Sequence, residues 1–197
     1  IPKGNGDVRP LGISAIETKI VESGVARLLG SIYEVDFFDY SYGFRPKKNA
    51  HQALKAIGDS VNGKPVNHIV EADIKGFFDN VEHDLLVDFL RIRIKDSSLL
   101  FLIERFLKAG YVDDNHLVIT EKGTPQGSIL SPMLANIFLH YVLDKWFDEV
   151  VTNHVRGYVE LVRYADDFIC LVQSKNDADR ILKALQNLER TLSRVHI

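Results

Sequence analysis

The chain has 197 residues, 46% of them hydrophobic and 26% charged, with a formal net charge of −3, which is the composition of an ordinary globular protein with one domain or two small ones. The lack of a basic excess counts against polynucleotide binding by bulk charge, although charge can be segregated by face. No run of 18 apolar residues predicts a membrane span, and Cys170, the only cysteine, rules out an internal disulfide.

The chain begins Ile1-Pro2-Lys3-Gly4, without Met, and stops just after an amphipathic pattern. It therefore reads as a segment of a longer protein. No signal-like opening and no Cys/His cluster is present, so zinc is not expected and a reducing, cytoplasmic setting fits.

Residues 1–13 read as a hairpin around Gly4-Asn5-Gly6-Asp7, with Lys3 and Arg9 on its two arms. Two cations at one end of a ribbon can hold an anion or simply face solvent. Ile16–Ile32 carries a helical stripe of Ile20, Val21, Gly24, Val25, Leu28, Leu29 and Ile32. Residues 36–50 interleave aromatics with Arg45, Lys47 and Lys48, which suits base stacking and phosphate contact. A second helix is predicted over Asn49–Ile57, and Asn62-Gly63-Lys64-Pro65 is the best domain boundary.

His68–Phe78 reads as a strand, with Ile69, Glu71 and Asp73 on one face and Val70, Ala72 and Ile74 on the other. Helices follow over Asp84–Ile94 and Ser97–Ala109, with Ser97 or Ser98 as cap, then an irregular hairpin to Thr124. The loop Gly123–Ser128 leads into a long helix to Val150, whose first regular turn is marked by Ser131-Pro132. Gln126 and Gly127 stand at its amino end, where anions are attracted and a ligand can approach the backbone.

Leu161–Tyr164 and Phe168–Val172 read as two strands with Asp166-Asp167 at the tip between them. A tight turn accepts Asp for steric reasons alone. Two like charges at the edge of a core, however, call for a compensating cation, and hard divalent ions prefer carboxylate oxygen. A closing helix over Lys175–Val195 buries Ala178, Ile181, Leu182, Leu185, Leu188 and Leu192. If the strand carrying Asp73 lies beside the hairpin in one antiparallel sheet, three carboxylates meet. Such a set is a usual scaffold for two Mg²⁺ ions roughly 3.5–4 Å apart in phosphoryl transfer.

Several motifs, in order along nearly the whole chain, resemble those of reverse transcriptases. Tyr164-Ala165-Asp166-Asp167 is similar to the YxDD signature, and Asp73-Ile74-Lys75-Gly76-Phe77-Phe78-Asp79 to the first catalytic palm motif. Thr124–Pro132 resembles the PQG motif in its group II intron form, while Ser41–Pro46 and Arg9–Ile13 resemble finger motifs. The resemblance is strongest to group II intron-encoded reverse transcriptase/maturases; retron, diversity-generating and CRISPR-associated enzymes match less well.

The resemblance implies an α/β (α+β) right-hand polymerase with fingers and palm, an antiparallel palm sheet backed by helices, and no thumb in this stretch. Residues 1–66, joined by part of 84–125, would be fingers, and 67–197 palm. Asp73, Asp166, Asp167 and the Ile74 carbonyl would hold two Mg²⁺ ions, with Mn²⁺ as a substitute. Lys3, Arg9, Gln126 and Gly127 would bind the nucleotide, with Phe78 as steric gate against a 2′-hydroxyl. Arg45, Lys47, Tyr164 and Ala165 would border template and primer. The implied partners are an RNA template, a DNA primer, dNTPs and a structured intron RNA, with no membrane and a bacterial-type, ribonucleoprotein-associated location. Ser128 departs from the family, which commonly has a second glycine there. The alternatives are an RNA-binding splicing module with little polymerase activity, or another palm-type enzyme such as a nucleotide cyclase; the PQG loop and the finger stretch argue against the cyclase.

Overall fold

A computed structural model describes residues 12–74, 76–113, 116–118, 122–124 and 127–192, without the side chains of Asp73 and of residues 111–117 and 189–192. The elements in chain order are α1 (Ile16–Tyr33), α2 (Ala50–Gly63), β1 (His68–Asp73), α3 (Phe77–Asn80), α4 (His83–Arg93), α5 (Ser97–Leu107), β2 (Tyr111–Asp113), β3 (His116–Val118), α6 (Ser131–Leu139), two π-helical turns (His140–Asp144 and Phe147–Val151), α7 (Thr152–His154), β4 (Val159–Tyr164), β5 (Asp167–Val172) and α8 (Lys175–Leu192). Contacts gather residues up to Val35 with Gly76–Phe138, and Asp36–Lys75 with Leu139 onward. Each unit thus draws on two separated stretches, and the boundary expected at Asn62–Pro65 falls inside the second unit.

In the first unit, α1 buries Val25 and Leu29 of the expected stripe together with Glu22 and Tyr33, but Ile20 is 68% exposed, and Val21 and Leu28 face outward too. Polar anchors set this rotation. The Glu22 carboxylate accepts from the Ile129 amide (3.0 Å) and the Ser14 hydroxyl (3.2 Å), while the Tyr33 hydroxyl donates to the Leu90 carbonyl (3.3 Å). A buried carboxylate is tolerated where it is hydrogen-bonded in this way. The cap of α5 is Asp96, whose carboxylate accepts from the amides of Ser98 and Leu99, and not either serine. β2 and β3 pair as the expected hairpin, and α6 starts at Ser131-Pro132 as expected.

The strand predicted to reach Phe78 stops at Asp73. Gly76 takes a left-handed φ of 63°, which ends extended backbone and starts α3. Phe77 and Phe78 are therefore separated by helical rotation, not by strand alternation. Phe77 is buried with its ring centroid 5.9 Å from that of Phe138, and Phe78 is half-buried.

The second unit is built on an antiparallel sheet of order β1-β5-β4. Its register pairs Val70 with Cys170 and Leu161 with Cys170, so these share one face with Phe168, Val172 and Arg163, all buried. Val162, Leu171 and Ile169 occupy the other face and pack against Ala53 and Ile57 of α2 and against Tyr42. Asn49 caps α2 through a reciprocal box with Gln52, and the helix runs beyond its expected end to Gly63. α8 packs along β1 and β5 and buries Ala178, Ile181 and Leu185; Leu182, expected inside, is partly exposed. The sheet is thus backed by helices, as expected.

Candidate active site

Strand register brings the backbone of three acidic residues together. Asp73, the last residue of β1, is the Cα partner of Asp167, the first residue of β5, and Asp167 is in turn the partner of Tyr164 on β4. Asp166 lies in the two-residue turn Ala165-Asp166 between β4 and β5. The predicted tip is therefore displaced by one residue: Asp167 belongs to a strand and Asp166 to the turn, so the two are not equivalent. Ile74 follows directly on β1 and is half-buried. Tyr164 and Asp167 are exposed and Asp166 is half-buried.

The turn is held from several sides. Ala165 has a φ of 58°, a left-handed conformation that costs a non-glycine residue on the order of 1 kcal/mol and persists only where surroundings impose it. Gly43 supplies one constraint, since a Cβ there would overlap the Ala165 backbone nitrogen and sit 3.0 Å from its Cα. The segment around Gly43 is itself laced to β4: the Arg163 amide donates to the Tyr40 carbonyl (2.9 Å) and the Tyr42 amide to the Arg163 carbonyl (2.8 Å). Residues 40–42 thus act as a short parallel edge beside β4, through a bridge of Ser41 with Arg163.

The flanking loop separates the expected contact residues. Arg45 is buried; its guanidinium donates to the carbonyls of Phe38 (2.6 Å) and Ser41 (2.8 Å) and lies over the Phe37 ring. It ties the loop together from inside. Lys47 is exposed, with a positive φ of 62°. Phe44, which sequence reading did not single out, has a φ of 55°, is half exposed, and has its ring centroid 6.5 Å from that of Tyr164. An outward aromatic beside a carboxylate turn in a strained backbone is the signal that identifies it, and only the structure reveals it.

In the first unit, Phe78 is tied by its backbone to the start of the 123–128 loop. The Thr124 amide donates to the Phe78 carbonyl (2.7 Å), the Gly123 amide to the Val81 carbonyl (2.8 Å), and a His83 ring nitrogen lies 2.6 Å from the Gly123 carbonyl. Gly123 has a φ of 84°, and a Cβ there would meet the Phe78 carbonyl oxygen at 2.8 Å, so only glycine fits. Gly127, with a φ of 104°, is exposed. The departure at Ser128 is absorbed locally, since its hydroxyl accepts from the Leu130 amide (3.1 Å). Lys3, Arg9 and Gln126 lie outside the described residues.

Electrostatics beneath the turn keep the neighbours neutral. Burial, then the Asp144 charge, pushes the Tyr40 hydroxyl well above the usual phenol range, so it stays protonated and donates to the Asp144 carbonyl at 3.1 Å. Burial lowers His140 below the ordinary imidazole value, and burial pushes the Cys170 thiol up to about 12, which makes it inert packing.

The sequence matches the reverse transcriptase (RNA-dependent DNA polymerase) family over residues 1–195. The chain belongs to that family. It is 46% identical over 144 residues to the group II intron-encoded protein LtrA of Lactococcus lactis, an alignment covering 73% of this chain and 24% of LtrA. It is 32% identical to protein YkfC of Escherichia coli, over 88% of this chain and 53% of that protein. The resemblance to group II intron-encoded reverse transcriptases therefore holds, and the chain spans only a quarter to a half of the length of these relatives. The fold matches the telomerase of Candida albicans with a TM-score of 0.66 at 14% identity, over 87% of this chain and 32% of that one, which establishes the polymerase fold for this mixture of helices and antiparallel sheet. Among the described residues, no helix is long and apolar enough to cross a membrane.

Proposed function

We propose that this chain is the fingers and palm of an RNA-directed DNA polymerase within a group II intron-encoded protein, and that the second unit, with β1, β4 and β5, is its palm. The observation that carries this reading is the register Asp73↔Asp167, with Asp166 in the adjoining turn. Acidic residues at two paired strand ends and in the adjoining turn would offer an all-oxygen donor set suited to Mg²⁺, with Mn²⁺ as substitute, and the Ile74 carbonyl could add a ligand. Bound there, the ions would supply Lewis acidity at the primer 3′-hydroxyl and neutralise charge on the triphosphate. The chain's own residues hold the rest. Lys3, Arg9, Gln126 and Gly127 serve the nucleotide, Phe78 excludes a ribose 2′-hydroxyl, and Tyr164, Ala165 and Lys47 border primer and template. The parent protein would also bind its structured intron RNA in a cytoplasmic ribonucleoprotein, in keeping with the likeness to LtrA.

The test is extension of a DNA primer on an RNA template by the full-length protein with dNTPs and Mg²⁺. Extension that EDTA abolishes is expected. A protein that binds intron RNA and promotes splicing yet extends no primer would instead support a maturase whose polymerase site is vestigial.

A further inference from the structure

Arg163 directly precedes the Tyr-Ala-Asp-Asp stretch and is fully buried, as is Asp144, its partner. Its Nε donates to Asp144 Oδ1 at 2.8 Å and one terminal nitrogen to Oδ2 at 2.6 Å, a bidentate fork in the dry interior. The other terminal nitrogen donates to the Ala165 carbonyl at 2.9 Å. That carbonyl belongs to the peptide joining Ala165 to Asp166, so the guanidinium fixes the plane from which Asp166 projects. Asp144 ends a π-helical turn, a rare conformation that shifts side chains relative to an α-helix and is frequent at functional sites. The Tyr40 hydroxyl holds the Asp144 carbonyl at 3.1 Å, and the Arg163 backbone is bonded to residues 40 and 42. A planar fork with a spare donor does all of this at once; a lysine ammonium cannot.

We propose that Arg163, oriented by Asp144, is a positioning residue that latches the left-handed Ala165 turn and so presets Asp166 for metal binding and nucleotide transfer. This rests on the polymerase reading above. Core cohesion alone would need neither the fork nor the third bond, since well-packed apolar residues of similar volume often replace a buried ion pair without loss of stability.

The test compares full-length wild type, Asp166→Ala, Arg163→Lys and the double variant Arg163→Met/Asp144→Leu. The readouts are thermal unfolding, Mn²⁺ binding by electron paramagnetic resonance, and single-turnover extension. The double variant should remain folded, bind Mn²⁺ at least several-fold more weakly and extend about 100-fold more slowly, a loss in the range for a displacement near 1 Å. Arg163→Lys should fold and show the same losses, with the dNTP concentration dependence little changed. Wild-type Mn²⁺ affinity and rate in either folded variant would overturn the latch. Unfolding of both variants would overturn it too, by making the pair simple core. A wild type that neither binds Mn²⁺ nor extends, or an Asp166→Ala variant that extends normally, would reject the polymerase reading instead.

Discussion

Gly43→Ala puts a single methyl group where the turn carrying Asp166 has no room for it. The added Cβ would overlap the Ala165 backbone nitrogen and lie 3.0 Å from its Cα, both backbone atoms that cannot rotate away. Restoring ordinary contact at about 3.4 Å or more requires the turn to move by roughly 1 Å, because Ala165 is itself buried and its carbonyl is held by Arg163. Overpacking of this kind costs about 1–3 kcal/mol of stability. A shift near 1 Å at reacting groups costs about 10²-fold in rate, equivalent to ~2.7 kcal/mol of barrier. Gly24 and Gly58 give internal controls, since a Cβ at either helical position meets nothing within 4 Å. Alanine there should stabilise by roughly 0.5–1 kcal/mol. Thermal unfolding and single-turnover primer extension on the three variants decide the matter. A Gly43→Ala protein with wild-type melting temperature and rate would refute the proposed packing of residue 43 on the turn.

Phe44→Ala should weaken binding of an RNA–DNA primer–template with an unpaired template overhang by about 5- to 160-fold, the range for loss of one stacking contact of ~1–3 kcal/mol, while leaving the melting temperature unchanged because the ring is half exposed; fluorescence anisotropy measures it. Phe78→Val should admit ribonucleotides, read as the ratio of dNTP to rNTP incorporation, and an unchanged ratio would count against the gate. His140 contributes a pH dependence of stability. Its pKa is lowered in the fold, so the unfolded chain binds the proton more readily. Stability is therefore full above the ordinary imidazole value of about 6.5 and declines as the pH falls below it. Urea unfolding between pH 5 and pH 8 should show that slope, and His140→Phe should flatten it.

Much of this was legible in the sequence, for identifiable reasons. The apolar runs on either side of Asp166-Asp167 announced a buried hairpin, and alternation from His68 announced the strand that pairs with it. What escaped were places where one polar group overrides periodicity. Glu22 stands outside the apolar stripe of α1, yet it faces inward because the Ile129 amide and Ser14 hydroxyl satisfy it. Gly76 sat inside an apolar run that read as strand, and its left-handed backbone ends that strand early. Asp144 lay in a stretch that read as one long helix, and Arg163 in a strand read for its apolar residues. Nothing in linear spacing predicts that the π-helical turn brings them together. Arg45 was grouped with Lys47 by composition, but its guanidinium is enclosed by carbonyls of its own loop.

We propose that the β1 and β5 strand ends and the turn beside them form the catalytic metal site. The most direct measurement is the single-turnover rate of Mg²⁺-dependent extension on an RNA template by the full-length protein, comparing wild type with Asp166→Ala and Asp73→Asn. Extension by wild type and a loss of at least about 10³-fold in each variant are expected, with melting temperatures preserved. Extension by either variant at the wild-type rate would contradict it.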